Sequence, residues 1–592
     1  MKKRWNPPQE PDGELLERLT DFVVSQGMPP VLAYLLANRG ISNIEEAQHF
    51  LEPSWDNGVH KPWLFRQMKP AVERVFSALE NQEKIVVHGD YDADGVTGSA
   101  VVITTLREIE KQSSVPVSNV SSYIPHRDKE GYGLHEGTVR ALAEQGADLI
   151  ITVDCGIASV DEIALARSLG MDVIVLDHHQ FGETLPDAIL VHPKLEGEEY
   201  PFKHLAAVGV AWKFASAVYE TAVEKGMALP EGFDKWLLDL VAIATVTDMV
   251  PLLGENRVLE KYGLMVMNKT RRPGLRALIR AAGQTPGELD AQSIAFGLGP
   301  RINAAGRMDH ASLALDLMLA ETDEAAAELA GRLEEQNRDR QRLMQTMLVE
   351  AETQLSAVEQ APLLSFWSET WQPALVGLVA GKYLDRTGKP TIAIGRHGDR
   401  WVGSGRSYAF FDITEAVRRA GEGFVTHVGG HVQACGFSFG AESQVETLIH
   451  KLDVYARENL DIDGLMPFMN IDAEVDLGQV DVGLADALRR LQPFGEGNRK
   501  PLFMIRDLEV ASCDLVGQTH KHVRCMLRDA AGRRAKFMGF NFGQRLEELS
   551  FGQKLDVVVE IDINEWNGRR EAQCKLVDVR DAEGIKQTAV TG

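Results

Sequence analysis

The chain has 592 residues, 44% of them hydrophobic and 25% charged, and a formal net charge of −24. At roughly 150 residues per domain that length predicts about four domains, and the balance excludes a wholly disordered or fibrous chain. An acidic total also argues against coating nucleic acid by bulk attraction, although two islands run the other way: seven Lys or Arg against one Glu between Arg257 and Arg280, and six against one Asp between Lys521 and Lys536. No apolar run approaches the ~18 residues of a membrane-spanning helix. The N-terminus MKKRWNPPQEPDGELLER has no apolar stretch behind its basic residues, so it is not read as a secretory signal. Five cysteines without a CxxC pair predict neither a disulfide framework nor a thiolate zinc site. A cytoplasmic protein with no membrane contact is the expectation.

Residues 1 to about 50 read as short helices, broken at Pro29-Pro30 and Gly40. From Lys84 short apolar runs alternate with amphipathic stretches. Lys84–His88, Leu149–Val153 and Val173–Leu176 are β-rich, while Gly137–Gln145 and Val160–Leu169 have helical spacing. That alternation predicts βαβ units and a parallel sheet. Glu321–Leu355 is rich in Ala, Glu, Leu, Arg, Gln and Met, with Gly331 its one breaker, and reads as a single long helix joining two lobes. A second α/β segment follows, with glycine-rich turns at Gly403–Gly405 and Gly429-Gly430. After Met466 about five β-rich runs in some 120 residues predict a small closed barrel, of which the OB-fold is the commonest kind. The predicted boundaries are a helical segment at 1–50, a parallel-sheet lobe at 51–320, a connecting helix at 321–357, a second α/β lobe at 358–463 and the barrel at 464–592.

The first three strands carry the chemistry. One runs into His88-Gly-Asp90-Tyr-Asp92-Ala-Asp94-Gly, the next ends at Asp154-Cys-Gly156, and the third at Asp177-His178-His179. Ligands of open parallel sheets bind outside the carboxyl ends of the strands. Four or more carboxylates and up to three imidazoles therefore meet at one edge, where uncompensated they would repel one another. One divalent cation or a pair removes that repulsion. Asp248, ending the apolar helix Leu237–Val246, is a fourth contributor. One such Asp is usually a turn or helix cap, and no Glu follows DxDxDG at EF-hand spacing; the conjunction of all four segments is what points to a site. Carboxylate with imidazole and no thiolate suits Mn²⁺ or Mg²⁺, with the imidazoles favouring Mn²⁺.

HGDYDADG, VDCG, DHH and TVTDMVP, in this order, resemble the four phosphoesterase motifs of the DHH superfamily, and GRS at 405–407 with GGH at 429–431 resembles its DHH-associated second lobe. The resemblance covers roughly residues 50 to 580. It implies a DHH phosphoesterase lobe, a connecting helix, a DHH-associated lobe and an OB-like barrel. Within the superfamily the motif details and the barrel are most similar to single-strand-specific 5′→3′ DNA exonucleases of recombination and repair, which release 5′-mononucleotides using two divalent cations. His88, Asp92, Asp94, Asp154, His178 and Asp248 then fall at metal-ligand positions, with Asp154 between the ions and Asp90 a weaker contributor. Asp177 orients an imidazole, and His179 faces the scissile phosphate. Arg127, Arg301, Asn303, Arg307, Ser404, Arg406 and His431 are the candidates for reading the 5′ end, because arginine forks suit a terminal phosphate. His427 is read as structural.

In the barrel, Phe537, Phe540, Phe542 and Trp566 near the second basic island form a candidate stacking platform for bases. The resemblance also implies single-stranded DNA with a 5′ end as substrate, a single-strand-binding protein and repair helicases as partners, and a monomer. Two rival readings remain. One is a phosphodiesterase of short oligonucleotides or cyclic dinucleotides, against which the barrel and the basic islands count. The other is a non-catalytic single-strand-binding replication scaffold, against which the complete carboxylate set counts.

Overall fold

The computed structural model describes residues 3–8, 10–112, 119–460, 465–566 and 568–582, and the side chain of Trp566 lies outside them. The chain forms two compact units. The larger contains His60–Val250 and Tyr262–Phe468, and the smaller contains Trp5–Val59, Pro251–Lys261 and Met469–Gly592.

In the larger unit, strands β1 (Ile85–Gly89), β2 (Val120–Tyr123), β3 (Leu149–Val153), β4 (Asp172–Leu176) and β5 (Ile189–Val191) form a sheet in the order β2-β1-β3-β4-β5. Every pairing is parallel. Strands β1 and β3 are buried along their whole length, which is why they read as continuous apolar runs and not as alternating ones. The edge strands β2 and β5 are shorter, and β2 is Val-Ser-Ser-Tyr, so the sequence pattern did not reveal them. The strand order reverses at β1, placing the topological switch point between β1 and β3.

Helix α1 (Ala93–Glu110) leaves β1 through a tight turn and is N-capped by Asp92, whose Oδ1 accepts from the amides of Asp94 (2.9 Å) and Gly95 (3.2 Å). A Cβ on Gly95 would stand 2.5 Å from the Asp90 amide, so only glycine lets the helix start this close to the end of β1. Around α1 pack α2 (Ala207–Glu224), α3 (Leu238–Thr247) and α4 (Gly299–Met308). The long helix α5 (Asp323–Val358) has 36 residues, as its composition predicts, and Met347, Ala351 and Leu355 enter the core of the second lobe.

That lobe contains β6 (Leu364–Ser368), α6 (Pro373–Thr387), β7 (Thr391–His397), β8 (Arg400–Arg406), α7 (Ile413–Ala420), β9 (Val425–His431), β10 (Ala434–Phe439) and α8 (Ser443–Asn459). Its sheet runs β9-β10-β8-β7-β6, with β6 and β7 parallel and the rest antiparallel. Gly403–Gly405, read from the sequence as a turn, lies inside β8. A Cβ on Gly403 would stand 2.1 Å from the Phe437 ring, so this glycine makes room for an aromatic neighbour. Gly429-Gly430 is likewise part of a strand, β9, with Gly430 at φ +145°.

In the smaller unit, β11 (Phe503–Val516), β12 (His522–Arg528), β13 (Arg534–Gly539), β14 (Lys554–Trp566) and β15 (Arg569–Asp581) pair in the order β11-β12-β13-β15-β14, and β14 returns to β11. The five strands close a barrel, as predicted. Its core is shared with the helices Gly13–Ser25, Val31–Ala37 and Ile44–Leu51: Leu19, Leu32, Leu36 and Phe50 join one cluster with Phe503, Leu527 and Phe537. Cys513 and Cys525, directly opposite each other on β11 and β12, are disulfide-bonded, a single link that the cysteine spacing did not disclose. The aromatic platform needs correction. Phe537 and Phe542 are core residues, and Phe540, 52% exposed and edge-on to His522, faces solvent.

The basic island at 257–280 is also no uniform solvent face. Arg272 lies 3.5 Å from Asp239 and Arg276 pairs with Asp323 at 2.8 Å. Arg257 is buried over the Phe50 ring, and its guanidinium donates to the carbonyls of Phe50, Arg490, Leu491, Gln492 and Pro493. Four of these carbonyls belong to Arg490–Pro493, the segment that follows the helix Val482–Arg489, so the guanidinium, with Asn498 at Leu491 and Pro493, satisfies backbone acceptors outside any regular element. Replacing it by an apolar chain of similar length takes this donor from the carbonyls of Phe50, Arg490 and Gln492, while Leu491 and Pro493 keep Asn498. Arg257→Met is therefore expected to destabilise the smaller unit by about 3 kcal/mol, seen as an earlier melting transition, whereas Arg524→Met on the exposed barrel surface stays within about 0.5 kcal/mol of the parent.

Candidate active site

The carboxyl ends of β1, β3 and β4 converge at the switch point, and the side chains named from the sequence meet there. His178 Nε2 lies 3.4 Å from Asp154 Oδ1, 3.6 Å from Asp248 Oδ2 and 3.9 Å from Asp94 Oδ2. Three groups have donor atoms close enough to share an ion: Asp90, Asp92 and Asp154; Asp94, His178 and Asp248; Asp154, His178 and His179. Asp154 belongs to two of them. Its backbone sits at φ +64°, a left-handed conformation that non-glycine residues seldom adopt and that marks local strain. Gly156 at φ +107° completes the turn, tight against Thr152.

Backbone amides place Asp92, Asp94 and Asp177. Asp94 accepts from the amides of Ala207 and Val208, both at 2.7 Å, at the N-terminus of α2, and Asp92 caps α1. Asp248 ends α3. His88 is fully buried beside Cys155 and stacks on Tyr123. Asp177 accepts from the amides of Ile157, His178 and His179, and its Oδ1 lies 2.8 Å from His179 Nδ1.

The electrostatics arise from crowding. Burial and the neighbouring Asp92 push Asp94 up to about 7, and burial with Asp94 and Asp92 pushes Asp248 up to about 9. Asp90 and Asp154 are raised by the same two effects. Burial holds His88 down to about 4, and burial with the neighbouring His179 holds His178 down to about 3, so both imidazoles are neutral and can donate lone pairs. Asp177 is the exception. Burial works against its ionisation, but the hydrogen bond and charge of His179 outweigh it and keep the carboxyl below the usual range. Four buried atoms of the cluster have no hydrogen-bond partner: His88 Nε2, Asp90 Oδ1, Asp154 Oδ1 and His178 Nε2. Buried polar atoms are ordinarily satisfied. Orphaned lone pairs on carboxylates and neutral imidazoles, without thiolate, are the donor set of hard divalent cations.

The cluster opens on a cleft of about 1330 Å³ between the two lobes of the larger unit. Its first wall carries Arg127, Tyr132, Asp177 and His179, and its second carries Ala374, His427, Gly429, Gly430 and His431. His427, read from the sequence as structural, is thus a cleft residue. Arg307 donates to the Ala374 carbonyl at the start of α6 (2.7 Å), and Arg406 donates to Ser404 Oγ on the same strand (2.7 Å). Burial, with Arg127 and Arg406 among the neighbouring cations, brings Arg307 down to about 10; burial and Arg127 also lower Arg406. Among the described residues none of these three arginines forms an ion pair; Arg127 lines the cleft, and Arg307 and Arg406 lie close enough to feel its charge.

Two candidates for reading the chain end are otherwise engaged. Arg301 pairs with Glu334 of α5 at 2.6 Å and donates to the Gly297 carbonyl, bracing the long helix. Asn303 accepts from the Ala93 amide (2.8 Å), so its side chain fixes the start of α1. Their clustering with Arg307 in GPRINAAGRM suggested one shared role, but a helix turns successive residues to different faces. Tyr132 was missed. Its one sequence signal is an aromatic ring between two glycines, five residues after Arg127.

Three family descriptions match this chain in order: DHH family, N-terminal domain, at residues 84–245; DHHA1 domain at 359–458; and RecJ OB domain at 471–578. The single-stranded-DNA-specific exonuclease RecJ of Bacillus subtilis is 36% identical over 589 residues, covering 98% of this chain and 71% of that relative. Two Thermus thermophilus RecJ structures superpose, each over 98% of this chain. The one in complex with Mn²⁺ has a TM-score of 0.81 at 28% identity over 80% of its own length, and the one with Mg²⁺ 0.76 at 27% over 79%. With this identity along nearly its whole length and the three domains in the same order, the chain belongs to the RecJ family.

Proposed function

We propose that this protein is a metal-dependent exonuclease that removes 5′-mononucleotides from single-stranded DNA in the 5′→3′ direction. The observation that carries the reading is a buried, orphaned carboxylate–imidazole cluster beside a cleft lined by Arg127, with Arg307 and Arg406 close to that arginine. The cluster suits the hydrolysis of a phosphodiester, and the arginines suit a terminal phosphate one nucleotide beyond it.

His88, Asp92, Asp94, Asp154, His178 and Asp248 hold two divalent cations, Mn²⁺ or Mg²⁺, with Asp90 in support. When bound, such a pair polarises the phosphate and lowers the pKa of water. The chain's own residues do the rest. Asp177, held ionised, accepts the Nδ1–H of His179 and favours its imidazolium, whose other N–H faces the cleft and donates to a phosphate oxygen. Arg127 and Arg406, with Ser404 and His431, receive the 5′-phosphate, and Arg307 fixes the start of α6 against them. Gly429-Gly430 lets the strand edge approach the sugar-phosphate chain without side chains intervening. Register is set by phosphate contacts, so the base sequence is not read.

The substrate is single-stranded DNA with a 5′ end, the setting is recombination and repair, and the location is the cytoplasm. The protein acts as a monomer, since both walls of the cleft come from one chain, and it is served by a single-strand-binding protein and repair helicases. No helix among the described residues is long and apolar enough to cross a membrane.

Asp154→Asn keeps the shape of the side chain and removes the charge shared by two donor groups. Turnover of a 5′-phosphorylated oligonucleotide is expected to fall by at least roughly a thousandfold, while strand binding measured by fluorescence anisotropy changes less than about threefold; parental turnover would sink the two-cation assignment. Chelator abolishes release of the 5′-terminal nucleotide, and a blunt duplex of the same sequence is left intact. Raising salt from about 50 to about 200 mM weakens strand binding by about tenfold or more through counterion release, and a flat response removes the phosphate-tracking account of the cleft.

A further inference from the structure

Tyr132 lies between Gly131 and Gly133, both at φ +90°, in a loop pinned by Glu130. The Glu130 carboxylate accepts from Tyr123 Oη (2.5 Å), Thr138 Oγ1 (3.0 Å) and the His126 amide (2.6 Å), which ties the loop to the end of β2 and the start of the next helix. The paired glycines carry the Tyr132 ring across to the ends of β3 and β4. There its hydroxyl donates to the Asp154 carbonyl at 2.8 Å and stands 3.0 Å from His179 Nδ1, with the ring edge-on to the imidazole at 5.5 Å between centroids.

Both partners need such support. Asp154 is the carboxylate common to two donor groups, and its backbone is held at φ +64°, a conformation that carries strain for any residue with a Cβ. Its carbonyl oxygen is occupied by Tyr132. His179 has Nδ1 2.8 Å from Asp177 Oδ1; that N–H is shared with the Tyr132 oxygen, which has already given its own proton to the Asp154 carbonyl. One hydroxyl therefore joins the strained turn of β3 to the imidazole of β4.

We propose that Tyr132 is a positioning residue that fixes the Asp154 turn and the His179 ring relative to each other, and so couples cation binding to the group facing the phosphate. This rests on the exonuclease reading for its catalytic half. Groups that orient metal ligands commonly contribute about ten- to a hundredfold in metal affinity or activity. Tyr132→Phe keeps the ring and its packing and removes only the bridge.

The test compares the full chain with Tyr132→Phe, His179→Ala and the double variant. Calorimetric titration with Mn²⁺ alone is expected to show roughly tenfold weaker binding to Tyr132→Phe. On a 5′-phosphorylated oligonucleotide, kcat falls by about ten- to a hundredfold, with KM within about twofold. In the His179→Ala background the same change lowers kcat by less than about threefold, because two members of one unit are not additive. Parental Mn²⁺ affinity together with parental kcat overturns the proposal. So does an additive loss in the double variant, or a fall in kcat matched by equal losses in KM and melting temperature, which is the signature of a merely structural tyrosine. If the parent protein cleaves nothing, the exonuclease reading fails, and the Mn²⁺ affinity of Tyr132→Phe still decides whether the hydroxyl positions Asp154.

Discussion

Charge crowding at one sheet edge is the constraint around which the larger unit is arranged. Asp90, Asp92, Asp94, Asp154 and Asp248 converge with His88 and His178 in a space from which water is largely excluded. Left alone, the cluster resists its own ionisation, as the raised carboxyls and lowered imidazoles record. A bare arrangement of this kind costs folding free energy, since buried like charges are unfavourable. It is sustained by amides aimed at the acids: the first turn of α1 at Asp92 and the first turn of α2 at Asp94. Helix N-termini carry partial positive charge, so the amides that place Asp94 also favour its ionised form against burial.

Close approach is the consequence of that placement. Gly95 lets α1 begin against the end of β1, and Gly306 lets α4 pass against the Tyr91 carbonyl, where a Cβ would stand 2.5 Å away. Asn303 on α4 then reaches the Ala93 amide. The site is thus braced from behind by a helix that also carries Arg307, whose guanidinium donates to the carbonyl of the cleft residue Ala374. The long helix α5 is held to the first lobe by ion pairs such as Arg301–Glu334 and enters the core of the second through Met347, Ala351 and Leu355. The carboxylate–imidazole cluster and the arginines are in this way parts of one packed body, as a cut at a fixed distance from a chain end demands.

Among basic residues, position in the chain was a poor guide to role. Arg257 belongs to a basic island of the sequence and is instead buried, donating to carbonyls of the segment that follows a helix. Several barrel cations are paired with neighbouring acids, Arg528 with Glu509 and Arg533 with Asp529. Arg127, Arg307 and Arg406, far apart in the chain, are brought near one another, and among the described residues none of them forms an ion pair. An arginine's chemistry is the same at each position; only its surroundings decide whether it holds the fold or meets a phosphate.

The sequence by itself determined the fold class, the parallel strands β1, β3 and β4, the long helix, the barrel strands and the acids and imidazoles at the strand ends. Each of these rests on local pattern: a buried strand must be continuously apolar, a long helix must avoid breakers, and the turn after a strand presents its polar residues at the sheet edge. The edge strands β2 and β5, the glycines inside β8 and β9, the disulfide, the burial of Arg257 and the commitment of Arg301 to Glu334 depended on partners far away in the chain. So did Tyr132, whose ring gains its meaning from Asp154 and His179 at the ends of two other strands. Local composition fixes which elements form, because their energetics are set within a few turns or residues. Which side chains meet is decided by packing between elements, and no local pattern records it.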